Sequence, residues 1–278
     1  EAVANYGHGV CIDDVEVVGK PTFPVSIVSP CGTTFPVAGT YNHLEGTVIT
    51  NVAISPDTQG TTQLVCYGWT ATECLEPAYG TATQAVVTVS GAGTLTWLWD
   101  TYYRLSTSAG AHGSVEPAAG WQPAGSTATV TASADAFYHF SCWSGTVSGT
   151  DNPLVLLMAS PHIVQANFAQ NLATNNTPEW WLAQYGWTNN FDSAAQSDAD
   201  GDGHVTWQEY VTGSNPTNPE SVFLSQLAIS NGKARVTWTP DLDTARLYAV
   251  EGKTNLMQSA WAPTNAATRF FRVKASMP

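Results

Sequence analysis

Up to about residue 170 the chain runs in short stretches where apolar and polar residues alternate, such as "TATQAVVTVS", "STATVTASA" and "NPLVLLM". Alternation with period two in Val, Ile, Thr, Tyr and Trp, punctuated by Gly and Pro, predicts β-strands. Nothing in this region sustains a helical period beyond a turn or two. The pattern then changes. "NLATNNT" reads as a polar linker, and Thr177 followed by Pro178 predicts the N-cap and first position of a short helix over "PEWWLAQY", which Gly186 ends. From Ser221 onward "VFLSQLAIS", "KARVTWT", "RLYAVEG" and "RFFRVKA" again predict strands, joined by turns such as Asn231-Gly232.

Laid against itself, the β region repeats. Gly39 matches Gly120, Gly46 matches Gly125, Trp69 matches Trp143, and the closing "TLTWLW" matches "IVQANF". The second unit runs through "GSVEP", "GWQPAGSTATVTA", an aromatic stretch ending in "CWSG", then "NPLVLLM" and "ANF"; the first carries an insertion, "TECLEPAYGT". These units resemble the divergent form of the internalin-type B-repeat of secreted and surface bacterial proteins. That resemblance implies small β-grasp-like modules strung in tandem as a spacer or adhesive stalk. Upstream, "GHGVCIDDVEVVG" is similar to the last strand of a jelly-roll sandwich. The last block, with "VTW", "YAVEGKTNL" and "FFRV", resembles a small β-sandwich at the C-termini of secreted proteins from Verrucomicrobia-like bacteria.

The densest chemistry lies in "SDADGDGHVTWQEY". Asp198, Asp200 and Asp202 occupy positions 1, 3 and 5 of a twelve-residue loop, with Gly203 at 6, the His204 carbonyl at 7, Thr206 at 9 and Glu209 at 12. A hard divalent cation needs several oxygens in a small sphere, and alternate residues of a curled loop turn theirs inward. The spacing therefore predicts a calcium site formed by Asp198, Asp200, Asp202, His204, Thr206 and Glu209. "TWQEYVT" makes an exit helix, whereas "WTNNFDSAAQS" is a poor entering one. With one loop only, the stretch resembles single EF-hand or thrombospondin-type-3-like calcium segments, and "TGSNPTNP" is similar to their tail, with Asn215 in place of an acid.

Composition narrows the function classes. Twenty-two acids against 9 bases give a net charge of −13, and between Lys20 and Lys233 the only base is Arg104. A nucleic-acid partner needs a basic stripe, so none is expected, and no apolar run is long enough for membrane insertion. Seven of the 9 bases lie after residue 221. The cysteines at 11, 31, 66, 74 and 142 show no CxxC spacing; Cys66 and Cys74 flank a segment that a disulfide could close, and Cys142 reads as a buried thiol. No GxSxG, HExxH or phosphate-cradling loop is present. Asp13 and Asp14, adjacent in a strand, face opposite sides and cannot flank one bond. Of the aromatics, Trp69, Trp97, Trp99 and Trp143 read as module cores, and Trp121, in a Gly-Trp-Gln-Pro turn, as the exposed exception.

The expected fold is mainly β. Its parts are a terminal jelly-roll strand (1–20), two β repeats (21–100 and 101–169), a linker with an EF-hand-like calcium segment (170–220), and a C-terminal β-sandwich-like module (221–278). The expected function is a non-catalytic, calcium-stabilised extracellular spacer or adhesive segment of a secreted or cell-surface bacterial protein, with cell-surface glycans or other protein subunits as partners. Three alternatives remain open: the accessory C-terminal region of a secreted hydrolase, a carbohydrate-binding module, and a subunit of an extracellular fibre.

Overall fold

The computed structural model describes residues 19–230, 233–242, 245–253, 260, 262–264 and 270–277. The expected terminal strand before residue 19 and the Asn231-Gly232 turn lie outside them. The molecule is mainly β, as its alternating runs predict.

The first repeat comprises β1 (Thr22–Val28), β2 (Thr34–Phe35), β3 (Gly39–Leu44), β4 (Val48–Ala53), β5 (Asp57–Gln59), β6 (Thr62–Ala71), β7 (Leu75–Glu76), β8 (Tyr79–Gly80), β9 (Gln84–Val89) and the first half of β10 (Gly93–Ala109). β1 lies between an antiparallel β3 and a parallel β10, and β10 pairs with β6 on its other side. A second sheet runs β2-β4-β9-β7. The inward residues of both sheets, among them Val25, Ile27, Ile49, Trp69, Leu75, Val87, Val89, Leu95 and Trp97, form one core. Strict alternation in β4 and β9 makes this possible, since every second side chain falls on the core face. Polar Asn51 sits inside it. Asn51, 1% exposed, accepts from Trp97 Nε1 at 2.7 Å and donates to the Pro36 carbonyl at 2.6 Å.

β10 continues without a break into the second repeat, followed by β11 (Gly113–Glu116), β12 (Gly120–Pro123), β13 (Thr127–Ala134), β14 (Tyr138–Gly145), β15 (Leu154–Leu157) and β16 (His162–Gln170). The connectivity of the first repeat returns. β12 is antiparallel to the second half of β10 as β3 is to β1; β11-β13-β15 repeats β2-β4-β9; β14-β16-β10 repeats β6-β10-β1. One matched pair of glycines is explained here, and a second equivalent pair comes to light. Gly46 and Gly125 turn β3 into β4 and β12 into β13 with φ of 80° and 77°, a region open to glycine. Their N–H groups donate to the carbonyls of Val89 and Met158, again equivalent residues. Gly32 and Gly113 lie flat against the rings of Trp99 and Phe168, where no Cβ fits. In place of Asn51 and Trp97 the second repeat has Val130 and Ala166, both fully buried.

By compactness the chain divides within the second repeat. One unit holds the strands up to Ser108 with Glu116–Thr131 and Ser144–Gln165; the other holds Ala109–Val115, Ala132–Trp143 and everything from Ala166. In the latter unit a short ladder, β17 (Leu172–Ala173) with β18 (Thr177–Pro178), brackets a 3-10 turn and leads to α1 (Glu179–Gln184), α2 (Phe191–Gln196) and α3 (Thr206–Thr212). β19 (Leu224–Ser230) then pairs with β20 (Lys233–Thr239), and β21 (Leu247–Lys253) lies between β22 (Ala262–Pro263) and β23 (Phe270–Ser276). Rings join these two small sheets, Trp238 to Tyr248 at 4.9 Å and Phe223 to Tyr248 at 6.3 Å.

Five expectations change. Thr177 does not cap α1: its hydroxyl donates to the Thr174 carbonyl, and Pro178 takes the cap position one residue later than predicted. "FDSAAQ" is helical despite its weak propensity, because Ala195 and Phe191 join Leu182 and Ala173 in a small core and Asp192 accepts from the Thr174 N–H and hydroxyl. Cys66 and Cys74 are free thiols; Cys66 is buried on the core side of β6, while Cys74 packs against Gly91. Cys142 is half-exposed, touched by the Asn167 amide at 3.8 Å, and Trp121 is half-covered by the Arg104 guanidinium, 5.6 Å from its ring.

Candidate metal centre

The loop between α2 and α3 curls back on its own carboxylates. Asp198 accepts from the N–H groups of Gly201 (2.7 Å) and Gly203 (2.9 Å), Asp200 from Asp202 (3.2 Å), and Asp202 from His204 (2.7 Å). Gly201 and Gly203 take φ of 80° and 92°, which lets the chain double back so tightly. Carboxylate oxygens of Asp198, Asp200 and Asp202 come within 4.8 Å of one another.

Glu209, in the first turn of α3, lies near enough to feel the charges of all three. Its position follows from how α3 starts: the Thr206 hydroxyl and N–H both donate to the Ser197 carbonyl at 2.9 Å, and the Gln208 side chain accepts from the Val205 N–H at 3.1 Å. Glu209 is fully buried, and among the described residues neither carboxylate oxygen has a hydrogen-bond partner. Asp200 Oδ2 and Asp202 Oδ2 are buried without partners as well. Burial first, then the charges of Asp200, Asp202 and Asp198, push the Glu209 carboxyl up to about 8.

A protein interior does not leave four buried carboxylate oxygens without a donor or a counter-charge, because each costs the full desolvation penalty of a charged group. An oxygen-only set with a buried glutamate opposite three aspartates fits a hard cation of the calcium type. The predicted residues are not all placed alike. Asp198, Asp200 and Asp202 converge and Glu209 lies within range of their charges, whereas Thr206 gives its hydroxyl proton to Ser197 and the His204 ring lies 3.3 Å from Asp202 Oδ1 with half its surface open.

Around the loop stands an aromatic cluster, with Trp181, Trp187, Phe191 and Trp207 packed on Ala173, Leu182 and Ala195. Tyr210 is buried 5.1 Å from the Trp181 ring. One contributor escaped sequence reading. Arg246 lays its guanidinium over Tyr210 at 4.8 Å and donates to the carbonyls of Tyr210 (2.5 Å) and Val211 (2.7 Å) at the end of α3. The gathering of bases after residue 221 was its only signal.

The fold is mainly β, and the comparison identifies part of it as a repeat-type module. Residues 103–172, the second repeat, match the family model of the divergent InlB B-repeat domain. No curated protein and no solved structure matches the chain. The family found is a repeat-type domain, and among the described residues no helix is long and apolar enough to cross a membrane.

Proposed function

We propose that residues 198–209 bind one calcium ion, and that the chain is a calcium-stabilised, non-catalytic spacer or adhesive segment of a secreted or cell-surface bacterial protein. The observation that carries this reading is Glu209, a fully buried carboxylate without a partner, set opposite three aspartates. Asp198, Asp200, Asp202 and Glu209 supply the charged oxygens, and the His204 carbonyl and Thr206 complete the set of positions. The match of the second repeat to a B-repeat family supports the spacer role, as does the first repeat, which shares its strand pairing outside the matched residues. Repeat boundaries at 21–100 and 101–169 belong to the same proposal, with β10 as the strand common to both. Titration calorimetry of the chelator-treated chain tests the metal claim. One binding event, lost in Asp198→Ala and in Glu209→Gln, is the expected result; no binding, or binding that Glu209→Gln leaves intact, overturns it.

A further inference from the structure

α3 has seven residues, too few to hold a helix in water by itself, so it depends on what grips its two ends. The N-terminal grip is the loop, through Glu209. The C-terminal grip comes from the β unit that follows. Arg246 binds the carbonyls of Tyr210 and Val211, and Gly213, in the left-handed region at φ 78°, presses so closely on Leu242 that a Cβ there would stand 2.5 Å from its Cδ1. A cation on the last carbonyls of a helix is also favoured by the helix dipole.

Glu209 belongs to both grips. Its side chain faces the three aspartates, and its carbonyl ends the helix by accepting from the N–H groups of Gly213 (2.7 Å) and Ser214 (3.1 Å). The next residue is Tyr210, whose ring and carbonyl Arg246 engages. His204, Trp207, Val211 and Ala275 of β23 line a cleft of about 260 Å³, so the terminal sheet borders both the loop and α3.

We propose that the cation controls a latch: with the loop filled, α3 presents the Tyr210 and Val211 carbonyls to Arg246 and keeps the C-terminal β unit docked, and emptying the loop releases that unit. This rests on the reading of residues 198–209 as a calcium site. Without the ion, the buried oxygens of Glu209, Asp200 and Asp202 are left with no group to satisfy them, so Glu209 leaves its place for water, and the helix end it terminates loses the geometry that Arg246 and Leu242 require.

The test uses the full chain and an endoprotease that cuts after glutamate and needs no metal. Its target is the Glu220–Ser221 bond, in the connection that closes on itself through Asn215 N–H to Ser221 Oγ at 2.9 Å. Ion binding is read independently as terbium luminescence sensitised by the tryptophans around the loop. Chelation is expected to speed cleavage at least about tenfold, as local opening of a docked unit would. Arg246→Ala and, as a second variant at a separate contact, Leu242→Ala are expected to cleave fast even with the ion bound, with terbium luminescence retained. Retained luminescence with cleavage that ignores chelator, or slow cleavage of both variants in calcium, overturns the latch alone. No luminescence from the unmodified chain overturns both the latch and the metal reading.

Discussion

Replacing Glu209 by glutamine should reverse its effect on stability according to whether calcium is present. In calcium, an ion that binds only the folded chain at a hundredfold excess over its dissociation constant contributes about 2.7 kcal/mol. For a cooperative unit of about 100 residues that corresponds to a rise in Tm of about 10–20 °C. Glu209→Gln removes this gain. In chelator the balance is opposite. The folded chain holds the Glu209 carboxyl protonated, pushed from 4.5 to about 8, while the unfolded chain at neutral pH has it ionised. At about 1.4 kcal/mol for each unit of pKa, keeping that proton at pH 7 costs the native state up to about 3 kcal/mol. Glutamine, isosteric with the protonated acid, carries no such penalty. Thermal unfolding followed by tryptophan fluorescence should therefore place the variant below the unmodified chain in calcium and at or above it in chelator. Equal destabilisation in both conditions would refute the reasoning, for it would mean that the carboxylate supports the fold through something other than the ion.

The same group sets a pH dependence. Because its folded pKa lies above its unfolded one, the metal-free chain binds an extra proton only when folded. Its stability should thus fall as pH rises from about 4.5 to about 8, by at most about 1.4 kcal/mol per pH unit, with Glu209→Gln flat across that window in denaturant titrations. Calcium displaces the same proton, so its affinity should climb with pH and level off near 8, measurable by calorimetry. In the first repeat, Asn51→Leu strands the Trp97 N–H and the Pro36 carbonyl in the core; urea unfolding should show a loss of about 1–3 kcal/mol. The pair Asn51→Val with Trp97→Ala, which copies the second repeat's Val130 and Ala166, should fall short of the sum of its single changes, since no orphaned donor remains.

The repeat could be read from the chain because its marks are local. A glycine that must turn with positive φ, as Gly46 and Gly125 do, tolerates little else; the pair Gly32 and Gly113, flat under their rings, was recognised only in the structure. Alternation likewise declared which residues of β4, β9 and β13 face inward. The carboxylates of the candidate site were equally plain, their spacing being that of a loop that folds onto itself.

By itself, then, the sequence determined the strand content, the doubling of one module and the positions of four acidic side chains, all properties carried within a few residues of one another. Tertiary structure alone decided which strands became neighbours: the parallel pairing of β1 with β10, and the single strand β10 serving both repeats, join segments about 70 residues apart whose alternation specifies a face but no partner. It decided that "FDSAAQ" would be a helix, since burial of Ala194 and Ala195 outweighs propensity. It also brought Arg246 onto the end of α3, 35 residues from Val211, because a guanidinium finds carbonyls by shape and charge, and neither leaves a period in the chain.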